Sequence, residues 1–303
     1  MSIRYRCSVA LRLIDSVTGG VPAVRGLKLT LGLLDELGQT TTARPLPPMN
    51  GRGLLPKGGG YYAASELEPG HYVLTVQSPD YMPARLEWTI EPQSSIPFQV
   101  DLRLLPAPAY PYAQRFTRVY CRCIDEQGHP LAGIDLFLRG SQTAAARARL
   151  RREATAGTDE LYVRATGAEP VIGEQMVLLC EPSSSDDPAI ASASAEPIRI
   201  ANSADDEPVA PVQTAGERCW KLAQPLQRDY PAGTSLLAVV QGRSDRRGEA
   251  LLVLTSLPGG ATDYELSTGA DETLFRTHLT LKEGEALRVE LNRASGQVRV
   301  RTM

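Results

Sequence analysis

A chain of 303 residues with 35 acidic and 32 basic side chains has a formal charge of only −3, with neither sign gathered into long runs. That balance lacks the basic footprint of a nucleic-acid surface, while 42 % hydrophobic residues give a globular composition with room for two domains. No apolar stretch reaches the length of a membrane span, and residues 1–15 hold no uninterrupted apolar run of the secretory kind, so cytoplasmic synthesis without membrane insertion is expected.

Alternation with a period of two dominates the chain. Cys7, Val9, Leu11 and Leu13 share one face of a first strand, and after the turn residues Asp-Ser-Val-Thr-Gly-Gly a second strand carries Leu27, Leu29, Leu31 and Leu33. Residues 38–60 are rich in Pro, Gly and Thr and read as a long loop with short edge pieces. Residues 60–83 read as a hairpin turned at Pro69-Gly70, a pair suited to a type II corner. Two further alternating runs, containing Leu86, Trp88 and Ile90 and then Phe98, Val100, Leu102 and Leu104, complete a first antiparallel sandwich over 1–106.

Residues 107–116 contain Pro and Tyr and predict an extended linker. A second sandwich follows over 117–303. Its opening repeats that of the first: a strand ending Ile-Asp (Ile14-Asp15, then Ile124-Asp125), a glycine turn, a proline (Pro22, then Pro130), a glycine (Gly26, then Gly133) and a new strand. Residues 141–154, rich in Ala, Arg and Leu, predict one short helix lying on a surface or at a subunit contact. Residues 183–213 predict a long irregular excursion, so about 140–235 is either a large insertion or a partly independent subdomain.

These motifs carry a family resemblance. The Asp-turn-Gly-Pro-x-x-Gly opening in IDEQGHPLAG and the corner in LEPGHYVLTV resemble the carboxypeptidase regulatory-like, or transthyretin-like, β-sandwich. More loosely, the segments LRLLPAPAYPYAQRFTRVYCRCIDEQGHPLAG and YPAGTSLLAVVQGRSDRRGEALL are similar to tandem-sandwich components of contractile phage-tail-like injection systems. The resemblance implies an all-β protein of two tandem transthyretin- or Ig-like sandwiches, without enzymatic activity. It also implies other protein subunits as partners, in a homo- or hetero-oligomeric assembly.

Direct signs of chemistry are sparse. The chain has no nucleophile elbow, phosphate loop or zinc-protease motif, and its five cysteines are odd in number and irregular in spacing, which argues against a disulfide framework. Cys121 and Cys123 share one strand face and read as small buried hydrophobes rather than zinc ligands. The glycines after Lys57 read as a turn, and His71, His129 and His278 as exposed or edge imidazoles. No cofactor or metal is expected; the acidic runs at 185–187 and 204–207 read as solvated loops rather than calcium ligands. The alternative function is a carbohydrate- or peptide-binding module whose platform would use Tyr61, Tyr62, Tyr110, Tyr112 and Trp220.

Overall fold

The computed structural model describes residues 7–23, 25–34, 40–45, 54–65, 67–91, 97–141, 145–165, 175–179, 196–203, 218–257, 260–268, 275–292 and 295–303. Among them there is no α-helix; the regular structure is strand throughout. The chain divides into two compact units, Met1–Pro111 and Tyr112–Met303.

The first unit contains β1 (Cys7–Asp15), β2 (Lys28–Leu34), β3 (Thr40–Pro45), β4 (Leu55–Gly58), β5 (Tyr61–Ser65), β6 (Gly70–Gln77), β7 (Ala84–Ile90) and β8 (Phe98–Leu104). They form two four-stranded sheets, ordered β4-β5-β1-β8 and β3-β2-β6-β7. Val9, Leu11 and Leu13 of β1 are buried, as are Leu29, Leu31, Leu74 and Val76 of the other sheet, so alternate residues of each sheet turn inward. The ring of Trp88 on β7 stacks on Phe98 of β8, with centroids 5.5 Å apart, and so joins the two sheets.

The expected hairpin over residues 60–83 is not one. β5 pairs with β1 and β4 while β6 pairs with β2 and β7, so the chain crosses from one sheet to the other at Pro69-Gly70. Gly70 has φ 156°, far from the roughly +80° of a type II corner. A crossover buries Tyr72, Leu74 and Val76 and also Val73, which a hairpin with one wet face would leave exposed.

The second unit contains β9 (Thr117–Ile124), β10 (Asp135–Gly140), β11 (Ala146–Leu150), β12 (Glu160–Ala165), β13 (Gln175–Leu179), β14 (Glu196–Ser203) and β15 (Arg218–Leu222). Then follow β16 (Ser235–Arg243), β17 (Glu249–Leu254), β18 (Ala261–Thr268), β19 (Arg276–Lys282), β20 (Ala286–Asn292) and β21 (Val298–Thr302). The sequence repeat has a topological counterpart. In the first unit β1 lies between antiparallel β5 and parallel β8, and in the second β9 lies between antiparallel β17 and parallel β20. Likewise β3-β2-β6-β7 is matched by β16-β10-β18-β19. Residues of both second-unit sheets share one core, which includes Val119, Cys121, Leu136, Leu138, Leu252, Leu266 and Val289.

Between β10 and β16, the counterparts of β2 and β3, lies a structure whose closed topology sequence patterning did not foreshadow. Strands β11-β12-β15-β14-β13-β16 are neighbours in that order, and β11 also pairs with β16, so six antiparallel strands close into a barrel. Ala148, Leu150, Leu161, Val163, Met176, Trp220, Tyr230 and Leu236 fill its interior. β16 is shared, its first half paired to β11 and β13 and its second half to β10.

The barrel corrects two expectations. In place of a helix over 141–154 stands β11, where Ala146, Ala148 and Leu150 point inward and Arg147 and Arg149 outward. Helix propensity there yields to burial of a period-two face against β12 and β16. The expected irregular excursion over 183–213 contains strand β14; the rest of it lies outside the described residues, as do the acidic runs at 185–187 and 204–207. Within residues 38–60, β3 and β4 are the expected edge pieces.

Two glycines repeat a close approach that needs no side chain. The Leu13 amide donates to Gly60 O at 2.9 Å and the Cys123 amide to Gly248 O at 2.8 Å, each glycine opening the strand that pairs with β1 or β9. Both have positive φ, 80° and 73°. A Cβ at Gly60 would stand 2.6 Å from the Leu13 carbonyl oxygen, and one at Gly248 would overlap that of Cys123.

Candidate interaction surface

The five aromatics expected to form a platform divide between the two units, Tyr61, Tyr62 and Tyr110 in the first and Tyr112 and Trp220 in the second. Tyr61 and Tyr62 are neighbours on β5 and so turn to opposite faces; Tyr61 is 48 % exposed beneath the Arg12 guanidinium, 5.3 Å from its ring centroid, and Tyr62 is half-buried. Trp220 is 1 % exposed inside the barrel and Tyr110 is 5 % exposed, so neither can meet a ligand at the surface. Tyr112 is half-buried on the second unit. With Tyr110 and Trp220 internal, the five do not make one binding platform.

Tyr110 is internal because of Asp15, the last residue of β1 and only 4 % exposed. Asp15 Oδ1 accepts from the Val17 amide at 2.8 Å, and Oδ2 accepts from the Tyr110 hydroxyl at 2.6 Å and the Tyr81 hydroxyl at 3.1 Å. Tyr81 in turn accepts from the Ala23 amide at 3.1 Å, and its ring meets that of Tyr110 edge-on with centroids 5.6 Å apart. Burial, reinforced by the Asp15 carboxylate, holds both phenols neutral, pushing Tyr81 up to about 12 and Tyr110 higher still. A carboxylate so fully supplied with donors anchors the residues expected as a linker, of which Ala107 is also buried.

The matching Asp125 does a different job. It is partly exposed and closes its own turn, Oδ1 accepting from the Gln127 and His129 amides while Oδ2 meets the His129 ring at 3.2 Å. Asp245 repeats this turn, with Oδ1 accepting from the Arg247 and Glu249 amides. His71 Nδ1 lies 2.8 Å from Thr89 Oγ1, and His278 sits on β19 opposite Glu265. Cys121 and Cys123 lie in the core; burial raises both thiols, Cys123 to about 11 and Cys121 well above its ordinary value. No group of three or more His, Cys, Asp and Glu side chains among the described residues is placed to hold a metal.

A distinctive feature of the second unit is the face of the sheet β17-β9-β20-β21 turned away from this core, covered at β17, where Leu251 and Val253 are buried, and open toward β21. Val119, Cys121 and Cys123 of β9 and Leu287, Val289 and Leu291 of β20 point into the core. Alternation therefore sends Arg118, Tyr120 and Arg122, then Arg288 and Glu290, and on β21 Arg299 and Arg301, to the other face. Against these five arginines stand Glu249 and Glu290, so the face is positive on a chain of net charge −3.

Tyr112 lies over one end of this face. The Arg118 guanidinium stacks 4.5 Å from its ring centroid, and the Tyr120 hydroxyl donates to its hydroxyl oxygen at 2.5 Å. That bond, with Arg118 adding to it, lowers the Tyr112 phenol, while burial pushes Tyr120 up to about 12. The other end is open: Arg288, Arg299 and Arg301 are exposed, and among the described residues the ion pair here is Arg299 with Glu290 at 3.9 Å. Arg288 and Arg301 are direct cross-strand partners without a counter-ion among the described residues.

No family model matches the chain, and no curated protein does. Solved structures with some likeness include the shaft pilin spaA from Lactobacillus rhamnosus GG, at 8 % identity over 95 % of this chain and 97 % of that one, with a TM-score of 0.24. Others are a putative adhesin from Bacteroides ovatus (9 % identity, 98 % and 93 % covered, TM-score 0.24) and a fimbrial assembly protein from Parabacteroides distasonis (8 %, 99 % and 100 %, 0.23). Likenesses of this size carry no argument about role.

Proposed function

We propose that this chain is a non-enzymatic structural protein, two tandem β-sandwiches that join other protein subunits in a homo- or hetero-oligomeric assembly. The observation that carries this reading is strand β21. It ends its sheet with one edge that no strand among the described residues pairs and with Val300 46 % exposed, in a unit whose inserted barrel is closed. An open edge of that kind is a template for strand addition from another chain. The Asp15 anchor and the barrel core supply the rigidity that a building part requires.

The more specific setting, a cap, baseplate or accessory part of a contractile phage-tail-like injection particle, is supported by the turn and linker resemblance alone. On this reading the protein is made in the cytoplasm and later becomes part of a particle that is released or meets a membrane. The test is the mass of the native protein, purified gently from its own cells and measured by light scattering. A large particle with co-purifying structural proteins is the expected result; a lone monomer of 32.8 kDa overturns the reading.

A further inference from the structure

We propose that the β21 edge is a docking site for an extended acidic segment of a partner protein, one with Asp or Glu at alternate positions and apolar residues between. This deepens the assembly reading and rests on it. The inference begins with the direction of the backbone groups. The Met303 amide donates to Ala286 O and the Asn292 amide to Gln297 O, which fixes the hydrogen-bonded pairs as 286/303, 288/301, 290/299 and 292/297. Arg299 and Arg301 therefore spend their backbone groups on β20. Val298, Val300 and Thr302 direct theirs outward, where no strand among the described residues meets them.

The charges then select what can pair there. A strand laid along β21 places alternate side chains beside Arg299 and Arg301 on the outer face and the intervening ones beside Val298, Val300 and Thr302. Arg301 already stands directly opposite Arg288, a like-charge pair that weakens the sheet unless an anion joins it, and Arg122 lies in the row that also holds Glu290 and Arg299. A second copy pairing through its own β21 would set arginine against arginine, so the edge discriminates against itself while it favours an acidic strand. Carboxylates two residues apart match the Arg299 and Arg301 spacing, and guanidinium groups suit them by their paired donors.

The test uses the full chain and a short fluorescent peptide of alternating glutamate and valine. The peptide should bind with an affinity that falls as salt rises, and Arg288→Glu with Arg301→Glu should weaken it by about tenfold. The same double variant should gain binding to an alternating lysine and valine peptide that the original chain ignores. Val300→Pro removes an outward amide without touching the β20 ladder, so the chain should stay folded and lose the peptide. Methylating the peptide's own amides should do the same with the protein unaltered.

No binding, or binding indifferent to both Val300→Pro and peptide methylation, overturns the proposal. So does equal binding of a single-stranded oligonucleotide, which would make the face a plain anion surface. Native particles that form normally with the Arg288→Glu, Arg301→Glu chain would remove this edge from the assembly and leave the assembly reading standing. Peptide binding by a chain that is monomeric in its own cells would do the reverse.

Discussion

Replacing Asp15 by alanine removes the acceptor of two phenols and a backbone amide in the interior of the first unit. Hydrogen bonds to a charged partner contribute about 1.5–3 kcal/mol each, and donors left buried without an acceptor cost about 1–3 kcal/mol each. Tyr81 and Tyr110 are 1 % and 5 % exposed, so water reaches neither easily, and the summed effect after local relaxation is about 3–5 kcal/mol. The assay follows from the two tryptophans, of which Trp88 lies in the first unit and Trp220 in the second. In a Trp220→Phe background, Trp88 fluorescence during urea unfolding reports the first unit alone. Tyr110→Phe should cost about 1–2 kcal/mol in the original chain and much less once Asp15 is alanine, because its partner is already gone. A loss below about 1 kcal/mol for Asp15→Ala, or equal costs of Tyr110→Phe in both backgrounds, would refute the anchor.

Three further predictions concern the same framework. Gly60→Ala and Gly248→Ala should each destabilise their unit by about 2 kcal/mol or more, whereas Gly157→Ala, whose Cβ meets nothing within 4 Å, should cost only the backbone strain of about 1 kcal/mol; equal losses would contradict the close approach. Tyr81 titrates near 12 when folded against about 10 when unfolded, so folding favours the neutral phenol. Its contribution is complete below pH 10 and disappears as pH rises from about 10 to about 12; a urea midpoint of the first unit that is flat across that window would speak against it. Alkylation should reach Cys121 and Cys123 only on unfolding, and peptide mass spectrometry showing either labelled in the folded chain as fast as Cys7 would place them outside the core.

Local patterning carried the strands but not their company. Alternation marks Cys7–Leu13 and Thr117–Ile124 because each buries one face, and the Ile-Asp turns mark the repeat because both follow a first strand. Nothing local says which sheet β6 joins, since Tyr72, Leu74 and Val76 alternate equally well in a hairpin and in a crossover. Ala146–Leu150 satisfies helix propensity and strand alternation together, and the choice is made by β16, far along the chain. Tyr110 is an exposed aromatic by composition and an internal one by a bond to Asp15 across 95 residues. The positive face was hidden for the same reason: its arginines come from β9, β20 and β21, and only their shared parity in Thr117–Ile124, Ala286–Asn292 and Val298–Thr302 could have hinted at it.

The shared strand β16 also bears on how the chain finds its fold. Asp135 and Arg243, joined by side chains at the start of β10 and the end of β16, lie 108 residues apart, a span that must close before the two strands can pair. Barrel strands pair among themselves within that span, and once closed they hold Ala146 beside Leu237, next to where Arg139 must meet Val239. Closing a few residues in place of about a hundred saves about 2 kcal/mol of chain entropy. A barrel that closes first would therefore work as a clasp, delivering the two halves of the second unit to each other.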